Sequence, residues 1–233
     1  MPNYGDPSYW DKRYNEQRNT TFDWLEDWAA LKPILAQLGV KKDDKILMLG
    51  CGNAELSEDM YNDGYSAIYN IDISSVVIDT MKARCADTSM VWEVMDVRDL
   101  KYPDNFFDLA IDKSTIDALL CGDDSFVNVA KMTKEVQRTL KVNGNYMVIS
   151  YGTPENRLYH FKLPHLSWDV SDFRIQSEVD DPDKYHYCYI AKKREDADLV
   201  SAKEWENVQC RLIQEEEEYE AKQGKNLAKT TQN

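Results

Sequence analysis

Residues 45–53 read Lys-Ile-Leu-Met-Leu-Gly-Cys-Gly-Asn, a short apolar run that ends in two glycines with one residue between them. The apolar run predicts a buried strand, and the glycines predict a sharp turn that a ligand can approach without meeting a Cβ atom. Apolar residues at helical spacing, Leu56 and Met60, follow the turn. A strand, a glycine turn and a helix in this order predict the first unit of an open α/β sheet.

The same alternation continues along the chain. Four further apolar runs predict strands at residues 67–71, 91–95, 106–111 and 146–150, and helical patterns lie between most of them. After Tyr151 the alternation stops, and residues 173–179 and 185–191 predict an antiparallel hairpin. Because alternating strands and helices form parallel sheets with covered faces, we predict an α/β fold: a doubly wound, Rossmann-like sheet of seven strands with a C-terminal antiparallel hairpin.

Two helices are predicted before the sheet. Four aromatic residues are spaced as along a short first helix: Tyr4, Tyr9, Trp10 and Tyr14. A second helix is predicted from Trp24 to Leu38, and Pro33 inside it allows a break or kink. At the other end of the chain, the residues from Leu199 have a helical composition, and those from Lys222 onward are predicted to be frayed or disordered.

The composition limits the classes of function. Hydrophobic residues make up 42% of the 233 residues, which is enough for a buried core, and the length suits one large α/β domain. The net charge of −14 argues against nucleic acid as the main partner, since phosphate binding needs a basic surface, and it is compatible with a basic protein substrate. The chain has no apolar run long enough to predict a membrane span, and its N-terminus has no secretory pattern.

The cysteines and histidines predict neither a disulfide framework nor a metal site. Five scattered cysteines without a CxxC pair predict free thiols in a reducing compartment, so a cytoplasmic location is expected. His160 and His165 lie near one another in the sequence and are predicted to be surface residues rather than metal ligands.

An acidic residue ends the second predicted strand. Asp72 lies 22 residues after Gly50, where a carboxylate can accept hydrogen bonds from both hydroxyls of a ribose. Glu55 occupies the third glycine position of the dinucleotide fingerprint, and its charge would repel a pyrophosphate at the helix N-terminus. The pattern therefore favours S-adenosylmethionine (SAM), a nucleoside ligand without phosphate, over NAD. A purely structural glycine turn is the alternative.

Two more predicted strands end in polar residues. Asp96 and Val97 follow the third strand, where the carboxylate can accept the adenine amino group and the backbone of its neighbour can meet a ring nitrogen. Asp112 and Lys113 follow the fourth strand, at the carboxyl edge where ligands of open α/β sheets bind. Each pair also has a plainer interpretation, as a turn cap in the first case and a helix start in the second.

Several motifs occur together and in one order: Trp-Asp-Lys-Arg-Tyr at 10–14, Phe-Asp-Trp-Leu at 22–25, Leu-Gly-Cys-Gly-Asn at 49–53, Asp-Ile-Ser-Ser-Val-Val at 72–77 and Asp-Lys-Ser-Thr-Ile-Asp-Ala-Leu-Leu at 112–120. Through them the chain resembles the elongation factor 1-alpha lysine methyltransferase 4 group, which is related to the first domain of methyltransferase-like protein 13. The resemblance covers residues 4–150 and is weaker beyond them. Met48 and Ala54 depart from the broader methyltransferase pattern, and the family shares these departures.

The resemblance implies SAM as the cofactor and a set of cofactor contacts. The positions that match the family's cofactor contacts are Trp10, Tyr14, Trp24, Gly50, Asp72, Ile73, Asp96, Val97 and Lys113. To these the glycine turn itself adds Gly52. The three aromatic residues would form a lid over the sulfonium, since aromatic faces attract a cation. The implied organisation is an N-terminal helical lid segment at residues 1–40, a SAM-dependent methyltransferase domain at 41–195, and a partly disordered helical tail at 196–233.

The activity implied by the resemblance is protein-lysine N-methylation of translation elongation factor 1-alpha. A lysine acceptor must first lose its proton, which costs about 4 to 5 kcal/mol at pH 7 from a reference pKa near 10.4. Asp112, Asp117 and Tyr151 are candidate proton acceptors, and since the sequence does not choose among them, no catalytic residue is predicted. Two other functions stay open: methylation of a small molecule, and SAM binding by a regulatory protein without turnover.

Overall fold

The computed structural model describes the chain except residues 1–3, 5, 18–19, 177–183 and 231–233, and it leaves out the side chains at 219, 220 and 222–230. Its strands are β1 (Ile46–Leu49), β2 (Ile68–Asp72), β3 (Val91–Val94), β4 (Phe107–Lys113), β5 (Leu140–Ser150), β6 (Trp168–Gln176) and β7 (Tyr185–Lys193). Its helices are α1 (Pro7–Glu16), α2 (Trp28–Gln37), α3 (Leu56–Asn62), α4 (Ser75–Arg84), α5 (Thr115–Leu119), α6 (Ser125–Thr139), α7 (Pro154–Phe161) and α8 (Ala197–Thr230).

The strands form one mixed sheet in the order β3-β2-β1-β4-β5-β7-β6. The first five strands of this order are parallel, while β7 pairs antiparallel with both β5 and β6. The predicted α/β class, with seven strands and a C-terminal antiparallel hairpin, is confirmed. The turn that was predicted to close the hairpin falls within residues 177–183 and lies outside the described residues.

Alternate residues of β1 pack into two different cores. Ile46 and Met48 belong to a core with side chains of α1, α2, α3 and α4. Leu47 and Leu49 belong to a second core with side chains of α5, α6 and α7. Because successive side chains of a strand point to opposite faces, a strand covered by helices on both faces has to be apolar throughout, as β1 is.

The N-terminal helices differ from the prediction. α2 begins at Trp28, because the Asp27 carboxylate caps it by accepting the Ala30 N–H at 3.0 Å. The helix continues unbroken past Pro33, so the break that this residue allows does not occur. The predicted helix start at Trp24 is wrong, and this residue belongs to an irregular segment before the helix.

The strands β4 and β5 are longer than predicted. α6 ends at Thr139 and β5 starts at the next residue, so Asn143 and Gly144 lie within the strand and not at the end of a helix. Asn143 has a φ of +66°, and the pairing of β5 with β4 shifts register there, which marks a bulge. β4 extends to Lys113, so Asp112 is a strand residue.

The segment between β5 and β6 is packed beneath the C-terminal helix. His160 and His165 are 2% and 0% exposed, so the prediction that they lie at the surface is wrong. Burial lowers the pKa of both imidazoles to about 4. The His165 ring contacts Trp205 of α8, with ring centroids 4.9 Å apart, and the buried Val208 and Leu212 lie on the same helix. The first half of α8 is therefore fixed to the body of the fold.

α8 runs for 34 residues, from Ala197 to Thr230. The disorder predicted from Lys222 onward concerns positions that lie outside the described part of the chain or lack described side chains, and it stays a prediction. The predicted segment boundaries at 40 and 195 stay predictions as well. No helix in the described ranges combines the length and the apolar character that crossing a membrane requires.

The carboxyl ends of the parallel strands share one edge of the sheet. Leu49 is in register with Ile71 of β2 and with Asp112 of β4, and Asp72 is in register with Val94 of β3. The edge therefore carries the polar and glycine residues that were predicted to end neighbouring strands: Gly50, Asp72, Asp96 and Asp112.

Gly50 begins the turn at this edge with a φ of +57°, a conformation that favours glycine. A Cβ atom there would lie 2.3 Å from Thr115 Oγ1, and this hydroxyl is held by its hydrogen bond to the Leu49 carbonyl at 2.8 Å. We expect Gly50→Ala to lower the free energy of unfolding by about 2–4 kcal/mol, from backbone strain and steric clash together. Urea unfolding without ligand measures the loss.

Gly39→Ala is the matched control for this substitution. Gly39 has a φ of +73°, but no atom lies within 4 Å of the position that a Cβ would take. Only the backbone strain of about 1 kcal/mol is expected there. Equal losses in the two variants would mean that the contact with Thr115 contributes nothing.

Candidate functional site

A cavity of about 330 Å³ opens at the carboxyl edge of the parallel strands. Its walls come from the turn after β1, the ends of β2, β3 and β4, the start of α5 and N-terminal aromatic residues. All ten predicted cofactor residues line it: Trp10, Tyr14, Trp24, Gly50, Gly52, Asp72, Ile73, Asp96, Val97 and Lys113. The sequence thus identified residues that the fold brings together, while their contacts with a ligand stay predictions.

The turn after β1 presents bare backbone to the cavity. Gly50 and Gly52 have φ angles of +57° and +56°. A Cβ atom at Gly52 would lie 3.0 Å from the Tyr14 hydroxyl, so glycine lets α1 close on the turn. The Arg84 guanidinium of α4 donates to the Asn53 carbonyl at 3.2 Å. The turn is therefore fixed by one helix and covered by another.

α3 starts beside this turn with acidic side chains. Glu55 is its N-cap residue and makes no side-chain capping bond, and Glu58 and Asp59 lie in its first turn. A helix N-terminus normally attracts phosphate, but three carboxylates oppose that attraction. The geometry agrees with the sequence argument against a dinucleotide.

Asp72 links two turns at the floor of the cavity. Its Oδ2 accepts the Gly52 N–H at 3.0 Å and its Oδ1 accepts the Ser74 N–H at 2.9 Å. The residue is 7% exposed, and burial raises the pKa of its carboxyl to about 6 although these N–H donors oppose the rise. A buried carboxylate with a raised pKa that lines a cavity is typical of a ligand site.

Asp96 is paired with a cation that lies two residues later. The Arg98 guanidinium donates to both carboxylate oxygens, through Nε at 2.9 Å and Nη2 at 2.7 Å, and a further bond joins it to Asn128 at 3.0 Å. Burial raises the pKa of Asp96, but the bonds from Arg98 outweigh this effect and hold the pKa below its ordinary value. The carboxylate is therefore ionised and fixed beside the buried Val97.

Four aromatic rings form one wall of the cavity, and a guanidinium packs against two of them. Trp10 and Tyr14 of α1 are stacked with centroids 6.0 Å apart, and Phe22 lies 6.1 Å from Tyr14. Phe22 in turn stacks on Trp24 at 6.4 Å. The Arg13 guanidinium lies 4.6 Å from the Phe22 centroid and 5.4 Å from the Trp24 centroid, within the range of a cation–π contact. The wall is thus a continuous aromatic layer.

α1 is attached to the rest of the fold by polar and apolar contacts. The Ser74 hydroxyl, at the N-cap of α4, donates to the Asp11 carboxylate at 2.6 Å. Tyr14 is 7% exposed and belongs to the core on this face of the sheet. The helix that carries Trp10 and Tyr14 is therefore packed against the sheet side of the cavity.

Lys113 ends β4 and lines the cavity, but its ammonium is hydrogen-bonded to the segment before α2. Nζ donates to the Asp23 carboxylate and to the Trp24 carbonyl, the latter at 2.6 Å. The side chain is only 8% exposed. Lys113 therefore connects the sheet edge to the irregular segment before α2.

The three candidate proton acceptors have different surroundings. Asp112 is fully buried and is not among the residues that line the cavity. Its carboxylate accepts the Thr115 N–H at 2.7 Å, the Ile116 N–H at 3.1 Å and the Tyr146 hydroxyl at 2.8 Å. Burial raises the pKa of Asp112 to about 7. Because its oxygens cap α5 away from the cavity, Asp112 has a structural role. Asp117 and Tyr151 stay candidates.

Asp117, in the first turn of α5, and Tyr151, directly after β5, both line the cavity. Asp117 Oδ1 accepts bonds from the Ser150 hydroxyl at 2.5 Å and from Arg157 Nη2 at 2.6 Å, and Oδ2 accepts the Tyr151 N–H at 3.2 Å. The Tyr151 side chain is exposed, and its ring meets the edge of His186 with centroids 5.1 Å apart. Of the two, Tyr151 is the more open to an incoming molecule.

Sequence reasoning missed the partners of these carboxylates. Arg98 carried a local signal, since it lies two residues after its partner. Arg157 lies 40 residues from Asp117, and Asp23 lies 90 residues from Lys113. No local spacing could reveal the last two pairs, because only the fold brings the residues together.

Residues 47–148 match the family described as methyltransferase domain. The mouse eEF1A lysine and N-terminal methyltransferase is 39% identical over 184 residues, which are 76% of this chain and 26% of that protein. The mouse EEF1A lysine methyltransferase 4 is 32% identical over 201 residues, which are 82% of this chain and 77% of that protein. The match therefore spans about a quarter of the first relative and about three quarters of the second.

Among solved structures, the fold is similar to that of magnesium protoporphyrin IX methyltransferase from Synechocystis PCC 6803 with bound SAM. The TM-score is 0.60 at 12% identity, and the match covers 80% of this chain and 94% of that one. At that identity the likeness concerns the fold alone.

We expect Asp72→Ala to weaken binding of S-adenosylhomocysteine, the demethylated form of the predicted cofactor, by about 1.5–3 kcal/mol, because ribose hydroxyls lose a charged acceptor. Calorimetry at pH 7.5 measures the affinity. Asp79→Ala, at an exposed position of α4, is the control. An unchanged affinity in a folded Asp72→Ala protein would leave Asp72 with a purely structural role.

The raised pKa of Asp72 adds a pH dependence to this binding. The ionised carboxylate accepts the ribose hydroxyls, so protonation competes with the ligand below the pKa of about 6. The affinity of the wild-type protein should therefore be constant above pH 7 and fall towards pH 5, approaching about tenfold per pH unit. Asp72→Ala should lack this fall, and the same slope in both proteins would assign it to another group.

Proposed function

We propose that this chain, which belongs to the EEF1A lysine methyltransferase 4 family and is a SAM-dependent methyltransferase, methylates a lysine side chain of translation elongation factor 1-alpha. One observation carries the proposal: the residues that match the family's cofactor contacts line a single cavity together with Asp117 and Tyr151. The names of both mouse relatives specify eEF1A as the protein on which those enzymes act.

The residues of the cavity fit SAM. Asp72 is a buried acceptor suited to a ribose, and Asp96 with Val97 suits the edge of an adenine. The Gly52 backbone allows close approach because no Cβ stands there. A volume of about 330 Å³ lies within the usual range for small-molecule sites. When bound, SAM supplies an electrophilic methyl group on a sulfonium.

The protein's own contribution is alignment and the exclusion of water. Methyl transfer to an amine is an in-line displacement, so holding the acceptor in line lowers the entropic part of the barrier. Tyr14 and Trp24 offer aromatic faces that attract a cationic sulfonium. Their packing against neighbouring rings keeps this wall rigid and apolar.

We assign the acceptor end of the cavity to the start of α5, which carries Asp117, and to the end of β5, which Tyr151 follows. Asp117 is committed to Arg157 and Ser150, so it fixes the loop that carries Tyr151. The Tyr151 side chain is 58% exposed although it lines the cavity, and its hydroxyl can hold an incoming amine by a hydrogen bond. Solvent at this open end can take the proton that a lysine must lose.

Two features support a protein substrate in the cytoplasm. The net charge of −14 favours association with a basic protein surface through long-range attraction. The cysteines Cys51, Cys85, Cys121, Cys188 and Cys210 are all free thiols, as expected of a reducing compartment.

The function is tested with the purified chain, tritiated SAM and unmethylated translation elongation factor 1-alpha. We expect label in the elongation factor, and tandem mass spectrometry should locate it on a lysine. Asp72→Ala, which retains the acceptor end of the cavity, should reduce the label in proportion to its loss of cofactor affinity.

A parallel reaction in whole lysate separates the other functions. Label found only in the small-molecule fraction would contradict the proposal and favour a small-molecule methyltransferase. No label in any fraction, with S-adenosylhomocysteine still bound in calorimetry, would favour a regulatory SAM-binding protein.

We expect Tyr151→Phe to lower kcat about tenfold or more while the affinity for S-adenosylhomocysteine stays unchanged, because only the hydrogen bond to the acceptor amine is lost. Tyr159→Phe is the control, since it removes a hydroxyl from another exposed tyrosine, on α7. An unaltered kcat in Tyr151→Phe would remove this residue from the acceptor site.

A further inference from the structure

Residues 20–27, called the strap below, run beside the cavity without helix or strand, and Phe22 and Trp24 of the strap line it. A segment of irregular backbone cannot satisfy its polar groups through a regular hydrogen-bond pattern and depends on other partners. In the strap, side chains from distant parts of the sheet edge supply them.

The two ends of the strap are held by different parts of the sheet side. Near its start, the Asn53 side chain accepts the Phe22 N–H at 2.9 Å and donates to the Thr20 carbonyl at 2.8 Å. Near its end, Glu26 Oε1 lies 2.7 Å from Nδ1 of His186 on β7. The strap is therefore attached to the turn after β1 and to β7.

The middle of the strap is held by an ion pair. Lys113 donates to the Asp23 carboxylate and to the Trp24 carbonyl, so it fixes the backbone next to the Trp24 ring. Leu25 follows with a φ of +68°, a conformation that leucine rarely adopts and that surrounding contacts must maintain. The position of the Trp24 ring thus depends on the Lys113 ammonium and its partner.

The same ion pair compensates the charge of one of the two basic side chains that line the cavity. Among the described residues that line the cavity, only Arg98 and Lys113 are basic. Arg98 is paired with Asp96, which also lines the cavity, while Lys113 is paired with Asp23, which does not. Without Asp23, a largely buried ammonium beside the cavity would lose its counter-ion.

We propose that Asp23 is a positioning residue of this methyltransferase: it holds Trp24 in place through Lys113, and it neutralises the Lys113 ammonium so that the cavity accepts a cationic cofactor. SAM carries a methyl group on sulfur, and with it a sulfonium charge, that S-adenosylhomocysteine lacks, and the rest of the two ligands is the same. The loss of Asp23 therefore discriminates between them, whereas a purely structural defect weakens both equally. The proposal rests on the methyltransferase activity, and its test needs no protein substrate.

Asp23→Asn removes the charge and keeps the size of the side chain. We expect calorimetry at low ionic strength to find about tenfold weaker binding of SAM and about threefold weaker binding of S-adenosylhomocysteine, since unpaired Lys113 repels the sulfonium. Asp23→Glu, which keeps the charge, should keep the wild-type ratio of the two affinities.

Lys113→Met supplies an independent result of opposite sign. It leaves the Asp23 carboxylate without its cation, so the ratio of the affinity for SAM to that for S-adenosylhomocysteine should rise by about threefold. The double variant carries neither charge and should return to the wild-type ratio. The Lys113→Met measurement keeps the proposal testable if Asp23→Asn does not fold.

Asp63→Asn is the control, because its carboxylate pairs with Lys32 and Lys42 at 3.0 Å on the surface, and it should leave both affinities unchanged. Circular dichroism and thermal unfolding check that each variant folds. Equal losses for the two ligands in Asp23→Asn, or ratio shifts of the same sign in Asp23→Asn and Lys113→Met, would overturn the proposal.

Discussion

The Asp72 carboxylate joins the turn after β1 to the turn after β2, and the cavity depends on this link. One oxygen accepts the Gly52 N–H and the other accepts the Ser74 N–H. Ser74 in turn donates to Asp11, which attaches α1 above the cavity. Burial opposes the charge, as the pKa of about 6 indicates, and the two N–H donors offset only part of that cost. The fold thus maintains a costly carboxylate at the one place where turn, helix and ligand site meet.

The part of the site that could be predicted from the sequence is the part encoded by neighbouring residues. The apolar run of β1, the glycines after it and Asp72 at the next strand end follow local rules of strand, turn and edge, so their meeting point could be foreseen. The spacing of Trp24 and Trp28 predicts a helix that includes Trp24, but the Asp27 cap starts the helix later and outweighs that spacing. The absence of metal-ligand spacing favours a surface position for His165, and its burial under α8 escapes the sequence because it involves contacts with residues far along the chain.

The pairing of charges could not be predicted for the same reason. Lys113 was recognised as a site residue, but its partner Asp23 is 90 residues away, and only the closed fold brings the two together. Without the partner, the sequence indicates a basic residue beside a site for a cationic cofactor, which is electrostatically unfavourable. With the partner, the Lys113 charge is compensated, and the attraction of the sulfonium falls to aromatic faces and to Asp72. The pairing therefore changes the physical meaning of a residue that the sequence had already identified.

The order of the strands assigns the two proposed parts of the cavity, for the cofactor and for the acceptor, to different strands. The ends of β3, β2 and β1 lie side by side and carry Asp96, Asp72 and the glycine turn, which suit a nucleoside. The ends of β4 and β5 carry Lys113 and Tyr151, and β7 lies next to them because it inserts antiparallel between β5 and β6. This insertion brings His186 beside the Tyr151 ring and beside the strap. Through these contacts the antiparallel hairpin, none of whose described residues lines the cavity, supports Tyr151 and the strap at the end that we propose for the acceptor.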